Sequence, residues 1–569
     1  MASKRWKMPA QAAALAAVSV ILNLCFSAPL TAAPTVAGYP ADQALELGQR
    51  MYRQGLLPSG EPMLAVVQGD IEVEGTMFSC ESCHLRSGLG SLEGTIITLP
   101  TNATELYKPF TMAAEEVIPD WAEMPASMQG GIRRPAYTDE TLAIALWNGI
   151  DPAGREFNPS MPRYLLEPGE MEILVYYLKN LSAAPSPGVT DTTLHLATVV
   201  SADLPARQRE AMLSVLQGFV TTQGGRSRLQ DRRAKEAPFF EREMYAFYRQ
   251  LKLHVWELSG PPASWGEQLE RHYRQTPVFA LLGGMTTGEW APVHTFCESN
   301  RIPCLFPVTD LPVLSDTAWY TLYFSKGYYQ EGEGVARYLR AGANAGTTPR
   351  IVQVFRDGPE GRAMAAGFAE TWRRFGLPPA ENRLLQADAS IAVQLRQLRE
   401  EFAGATLLLW LGPEVFPLLE EWSGGDSPQV FLAASLLGEK LTTLPAAARP
   451  FVYIAYPWRL PQEAQKINQV VRSWLKVRGI PEIDLPIQAK MYAAVWQFSS
   501  AQMMMKTDFY RDYLLDVLDM MNYQTYTIAA YPRLSFGQGQ RYAAKGCYIV
   551  QLGEGPQPAI LPRSEWVVH

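Results

Sequence analysis

An excess of positive charge, cysteine, histidine and long uncharged runs are all scarce in this chain. With 50 basic against 57 acidic residues its net charge is -7, so the positive field that nucleic-acid binding relies on is missing. Six cysteines and six histidines in 569 residues include one Cys-x-x-Cys pair, with neither a second such pair nor a His-x-x-x-His partner, which excludes the usual structural zinc patterns. His195, His254, His272, His294 and His569 are scattered singly. The chain has no Walker loop and no arrangement that reads as a Ser-His-Asp triad. Beyond an apolar stretch from about Ala12 to Phe26, no segment is apolar enough for a bilayer span, so the mature chain is expected to be soluble, with no transmembrane segment and no nucleic-acid partner.

Lys4, Arg5 and Lys7 precede that apolar stretch, and small residues around Ala28 to Ala37 follow it. This is the pattern of a cleaved secretory signal, giving a signal peptide over 1–37 and an expected periplasmic location. The rest of the composition, 47% hydrophobic and 19% charged, is that of a globular chain with room for about three domains.

The exported part contains Cys80-Glu81-Ser82-Cys83-His84. Two thiols at this spacing add across the two vinyl groups of a haem, and the adjoining imidazole becomes the proximal iron ligand. A thioredoxin-like disulfide would open a helix directly after a strand; this run instead sits in a Gly/Ser-rich stretch, Ser79 to Gly94. A sixth ligand is expected from Met161, held between Pro159 and Pro162, since a thioether favours ferrous iron; Met124-Pro125 is its rival. The segment from Gly38 to Ser186 has 20 acidic and 9 basic residues, a field that suits a positively charged docking face and equally suits ordinary solubility.

Gly48 and Tyr52 on a helix starting near Ala41, the Cys80–His84 run, Met161-Pro162 and a closing helix with Tyr177-Leu178 together resemble a class I monohaem cytochrome c over residues 38–181. The resemblance implies an all-α domain whose first and last helices cross, one covalent haem c bound by Cys80, Cys83, His84 and Met161, one-electron transfer, and redox partner proteins. The family commonly orients the proximal histidine with a proline carbonyl soon after the haem run, and here the next proline is Pro100.

Residues 182–193 (SAAPSPGVTDTT) read as a linker. From Leu194 onward, strand-like runs at Leu194–Val200, Leu253–Glu257, Val278–Leu282, Pro303–Pro307, Ile351–Phe355, Leu407–Leu411, Gln429–Leu432 and Val452–Tyr456 mostly alternate with helix-like stretches. This argues a parallel α/β architecture in two lobes. Leu281-Leu282-Gly283-Gly284, the stretch Glu298 to Pro307, Glu331 to Leu339, Val352 to Gly361 and Gly412-Pro413 resemble a type I periplasmic ligand-binding protein of the branched-chain amino acid receptor kind, over residues 194–569. The resemblance implies a hinged two-lobed α/β fold with an unknown small-molecule ligand in the cleft.

Open α/β sheets bind ligands beyond the carboxyl ends of their strands. The expected cleft residues are therefore Gly283, Gly284, Met285, Thr286, Thr309 and Asp310 in the first lobe, and Arg356, Asp357, Gly412 and Glu414 in the second. Cys297 and Cys304, seven residues apart across a helix-to-strand turn, suit a local disulfide or two buried thiols. Two functions follow as expectations: a periplasmic electron carrier coupled to a ligand-binding module, or a solute receptor with an accessory haem.

Overall fold

The computed structural model describes residues 35–93, 96–112, 132–236, 249–342, 350–386, 390–424, 427–521, 528, 530–536 and 539–567. Most of the expected signal peptide, Met124 and His569 lie outside the described residues. The chain divides into two compact units, Met1–Ala183 and Ala184–His569. Among the described residues no helix is long and apolar enough to cross a membrane.

In the first unit the helix Ala41–Gln54 buries Ala44, Gly48, Met51 and Tyr52 and stops at Gly55, which turns left-handed at φ 67°. The helix Pro168–Asn180 starts with a proline in its first turn and a reciprocal Glu167/Glu170 cap, an arrangement that satisfies otherwise orphaned N–H groups. The two helices meet at Gly48, where a Cβ would lie only 2.4 Å from the Tyr177 Cβ. A third helix, Asp139–Asn148, is capped by Thr138, whose Oγ1 accepts from the Thr141 N–H at 3.2 Å.

This unit is not all-α as expected. Ile71–Glu74, Leu64–Val67 and Arg163–Tyr164 form a three-stranded antiparallel sheet. The cause is local: Ile71-Glu72-Val73-Glu74 alternates β-branched and acidic residues at a period of two. Gln68 and Gly69, both at positive φ, turn the chain back. This hairpin occupies much of the stretch between the first helix and Cys80.

Residues Ser186 to Thr193 are not free linker either. The Gly188 carbonyl accepts from the His195 N–H at 2.8 Å, and a Cβ on Gly188 would collide with the Val278–Phe279 backbone at 2.2 Å. They belong to the second unit.

That unit has two sheets. The first is fully parallel, in the order Gln250–Leu258, Thr193–Ser201, Ala280–Leu282, Cys304–Leu305, Thr321–Leu322. The second has five parallel strands, Glu381–Leu385, Ile351–Arg356, Thr406–Trp410, Val430–Ala433 and Val452–Tyr456, followed by antiparallel Tyr548–Leu552 and Ile560–Pro562. The chain leaves the first lobe after Leu322 and returns after Tyr456. Its helices Pro461–Val477, Leu485–Met505 and Arg511–Met520 then bury Val471, Met491 and Leu514 in the first lobe's core beside Leu194 and Leu282. It crosses a third time to place Tyr548–Leu552 in the second sheet. Three crossings between the two sheets bring the carboxyl ends of both sets of parallel strands to the hinge region, where such sheets bind ligands.

Candidate functional site

Two sites can be built from these elements. In the first unit, Cys80–His84 forms one helical turn, with Ser79 extended before it and Leu85 ending it at φ 64°. The turn puts Cys80 inward, its thiol 3.6 Å from the Tyr164 hydroxyl, and leaves Cys83 exposed. Both are free thiols, so the pair is not a disulfide. His84 is buried, and its Nδ1 lies 2.8 Å from the Leu99 carbonyl. A proton on Nδ1 donated to that carbonyl leaves the lone pair on Nε2. That nitrogen is itself buried and has no hydrogen-bond partner. Burial pushes the imidazole down to about 4, keeping it neutral.

The carbonyl that orients His84 is thus the one just before Pro100. The Gly-rich stretch makes this approach possible. The His84 carbonyl accepts from the Gly90 N–H at 3.1 Å, and a Cβ on Gly90 (φ 78°) would lie 2.0 Å from the Thr98 carbonyl oxygen. Met161 packs partly buried against the core that holds Cys80, Tyr52 and Tyr164. Its loop is pinned by Ser160 N–H to Asn158 Oδ1 (2.9 Å), and by Arg163, which donates to the carbonyls of Phe157 (3.3 Å) and Met161. Among the described residues no group of three or more His, Cys, Asp and Glu gathers as a protein-only metal site would need. Two unbridged thiols beside an orphaned, neutral imidazole nitrogen fit thioether attachment and axial ligation of a haem.

In the second unit the expected cleft residues separate. Gly283 and Gly284 have positive φ and turn the chain sharply after their strand. A Cβ on Gly283 would sit 2.7 Å from Met491 Sδ, and one on Gly284 2.7 Å from the Trp290 ring. Glycine is needed there for packing. Met285 is likewise buried in the lobe core, its N–H donating to the Val199 carbonyl at 2.9 Å. Thr286 is half-buried and Asp310 exposed. The half-buried Thr309 turns its hydroxyl back to the Leu311 N–H at 3.1 Å.

In the second lobe Arg356 and Glu414 pair at 3.3 Å, both well exposed, with the Glu414 carboxylate folded over Gly412. Asp357 pairs with Arg362. Exposed pairs of this kind contribute about 0–1 kcal/mol.

The expected disulfide is not formed. Cys297 and Cys304 are free, fully buried thiols, hydrogen-bonded to each other in a core with Trp290 and Tyr323. Nor are all the histidines solitary: His195 Nδ1 and His254 Nε2 lie 3.0 Å apart on neighbouring strands. Their rings are tilted by only 9° with centroids 5.2 Å apart, which is edge-to-edge N–H···N bonding. Partial burial and the Lys252 charge hold His195 below its usual range, and burial does the same for His254.

The hinge gathers other residues that sequence reasoning passed over. The Asp310 carbonyl accepts from the Tyr328 N–H at 3.0 Å. One turn on, Glu331 is wholly buried; its Oε2 accepts from the Ser435 N–H at 3.3 Å, and its Oε1 has no hydrogen-bond partner. Burial pushes this carboxyl up to about 8. Lys490 comes from the Leu485–Met505 helix, next to the Met491 that fills the Gly283 corner, and Tyr531 flanks it with its ring centroid 5.8 Å from Nζ. Lys490 is the single charge in that helix, the one signal that could have drawn attention to it.

A family model described as periplasmic binding protein matches residues 249–556. No curated protein matches the chain. Among solved structures, the chain is similar to a branched chain amino acid ABC transporter from Thermus thermophilus with bound valine, at 13% identity over 67% of this chain and 98% of that one, with a TM-score of 0.46. It is similar to a fatty acid ABC transporter substrate-binding protein from Thermomonospora curvata, at 15% identity over 67% and 95%, with a TM-score of 0.43. A further similarity is to a solute binding protein from R. palustris in complex with benzoate, at 12% identity over 66% and 98%, with a TM-score of 0.44.

Proposed function

The chain belongs to the periplasmic binding protein family, whose model spans residues 249–556, and from that premise we propose that it is an extracytoplasmic solute-binding protein serving a transporter or sensor. It takes a small molecule between the two lobes of its second unit. The observation that carries this reading is the triple crossing between two parallel sheets, with Asp310, Tyr328 and Lys490 at the hinge. Two lobes hinged at a few segments close around a ligand by small dihedral changes there. Mass spectrometry of metabolites released from the purified exported protein tests the proposal, followed by calorimetric titration of those found. A protein that retains nothing and binds nothing it is offered is not a receptor.

A second reading concerns the first unit and rests on the orphaned Nε2 of His84. We propose that one haem c would be held by Cys80 and Cys83 through thioether bonds and by His84 and Met161 as iron ligands. The group supplies one-electron transfer with redox partner proteins. The chain's own residues hold and tune it. The Leu99 carbonyl fixes the His84 tautomer, Arg163 steadies the Met161 loop, and the Tyr164 hydroxyl sits beside the Cys80 sulfur. The reduced protein should show a c-type α-band that survives denaturation; a haem lost to solvent extraction, or no band, removes the reading. Under this view the haem is a redox accessory to the receptor, and measuring ligand affinity with oxidised and reduced protein tells whether the two are coupled.

A further inference from the structure

We propose that His195 and His254 form a proton-operated latch on the first lobe's sheet. As a neutral pair they tie the strand Gln250–Leu258 to its neighbour Thr193–Ser201, and in acid a proton on each ring breaks the tie and loosens that edge. His195 Nδ1 and His254 Nε2 lie 3.0 Å apart, the ring planes differ by 9° and the centroids are 5.2 Å apart, which is the geometry of a bond. In the register of the two strands His195 stands opposite Lys252 and Ala197 opposite His254, so the rings are diagonal neighbours on one face. Both are half-buried, and solvent protons reach them. The strand at stake is an edge. Gln250–Leu258 stands first in the five-stranded order and pairs on one side alone, so pairing lost across that seam has no replacement on the other.

An N–H···N bond needs one donor and one lone pair. A single added proton leaves a lone pair to accept; a second leaves two N–H groups and two positive charges facing each other. The surroundings set when that happens. The helix Trp265–Gln275 covers this face of the sheet. Of its charged groups, Glu270 is engaged by Asn300 and Arg274, His272 stacks on the Trp256 ring, and Glu267, Arg271 and Arg274 are exposed. Lys252, on the same face as His254, is the charged side chain that acts on both rings. Burial, and behind it the Lys252 charge, holds His195 below its usual range; burial, then His195 and Lys252, do so for His254. The folded chain thus binds fewer protons here than the unfolded one. The tie is complete above pH 6.5 and is lost as pH falls through the depressed values.

The test is amide hydrogen exchange of the full-length protein from about pH 8 to about pH 4.5, each variant being compared with wild type at the same pH so that the intrinsic pH dependence of exchange cancels. At the upper pH, peptides covering Gln250–Leu258 should exchange about fivefold faster in His254→Phe than in wild type, the scale of one net hydrogen bond. At the lower pH the difference should vanish or reverse. Lys252→Gln, at an exposed position, removes the charge that opposes protonation and should move the loss of protection to higher pH. An effect of His254→Phe that is the same at both pH values makes the pair merely structural and overturns the latch. Lys252→Gln decides independently of whether His254→Phe folds: protection lost at the wild-type pH overturns the proposal too.

Discussion

Gly48 and Tyr177 meet so closely that the helices Ala41–Gln54 and Pro168–Asn180 share a contact no side chain can enter. A Cβ at position 48 would stand 2.4 Å from the Tyr177 Cβ and 2.9 Å from the Ile173 carbonyl oxygen. Gly48→Ala would gain helix propensity of about 1 kcal/mol but must force the helices apart, at a cost of about 1–3 kcal/mol. The net effect expected is a loss of stability confined to the first unit, read as an earlier urea midpoint for that unit's transition and an unchanged one for the second.

Arg511 does for the second unit what a metal clip does elsewhere. Its guanidinium donates to the carbonyls of Phe279 (3.0 Å), Asn300 (3.2 Å) and Arg301 (3.3 Å) and to the Tyr273 hydroxyl (3.0 Å). Arg511→Met would leave these buried acceptors unpaired. A destabilisation of about 3–5 kcal/mol is expected, and a urea midpoint within error of wild type would show that water replaces the arginine.

Glu331 should make the second unit less stable as pH rises. Its folded-state value is raised from 4.5 to about 8, so the folded chain binds more protons than the unfolded chain between those limits. The contribution is intact below pH 4.5 and falls away up to pH 8, by on the order of 5 kcal/mol. Glu331→Gln should flatten this dependence. Parallel pH–stability curves for the two proteins would place the titration elsewhere.

Met161→Ala tests the sixth ligand independently of the solute. If haem c is held as proposed, the covalent α-band persists while added imidazole gains access to the iron. The midpoint potential then drops by on the order of 0.1 V, within the roughly 0.8 V range that axial ligands span. A potential and imidazole response unchanged from wild type would assign the ligand to another residue.

The eight strand-like runs of the second half are all strands, because buried parallel strands are short continuous apolar runs such as Thr406–Trp410. Glu381–Leu385 escaped notice because its first three residues, Glu381, Asn382 and Arg383, are polar, and Thr321–Leu322 because two residues have no period. The Cys80–His84 run stands out in the sequence because its residues are contiguous, though the helical turn it forms was not expected. Of the hinge only Asp310 was expected: Glu331, Lys490 and Tyr531 are up to 200 residues apart, and nothing near any of them in sequence marks the others. Gly283-Gly284 has a packing reason of its own. A glycine pair after a strand signals close approach by something, and here that something is Met491 and Trp290.

The third crossing bears on the order of manufacture. Every helix and strand of the first unit is in hand by Asn180, whereas the second sheet lacks two of its seven strands until Tyr548–Leu552 and Ile560–Pro562 have been made. Domains fold as units while the chain emerges, so this lobe stays open until those two strands have been made.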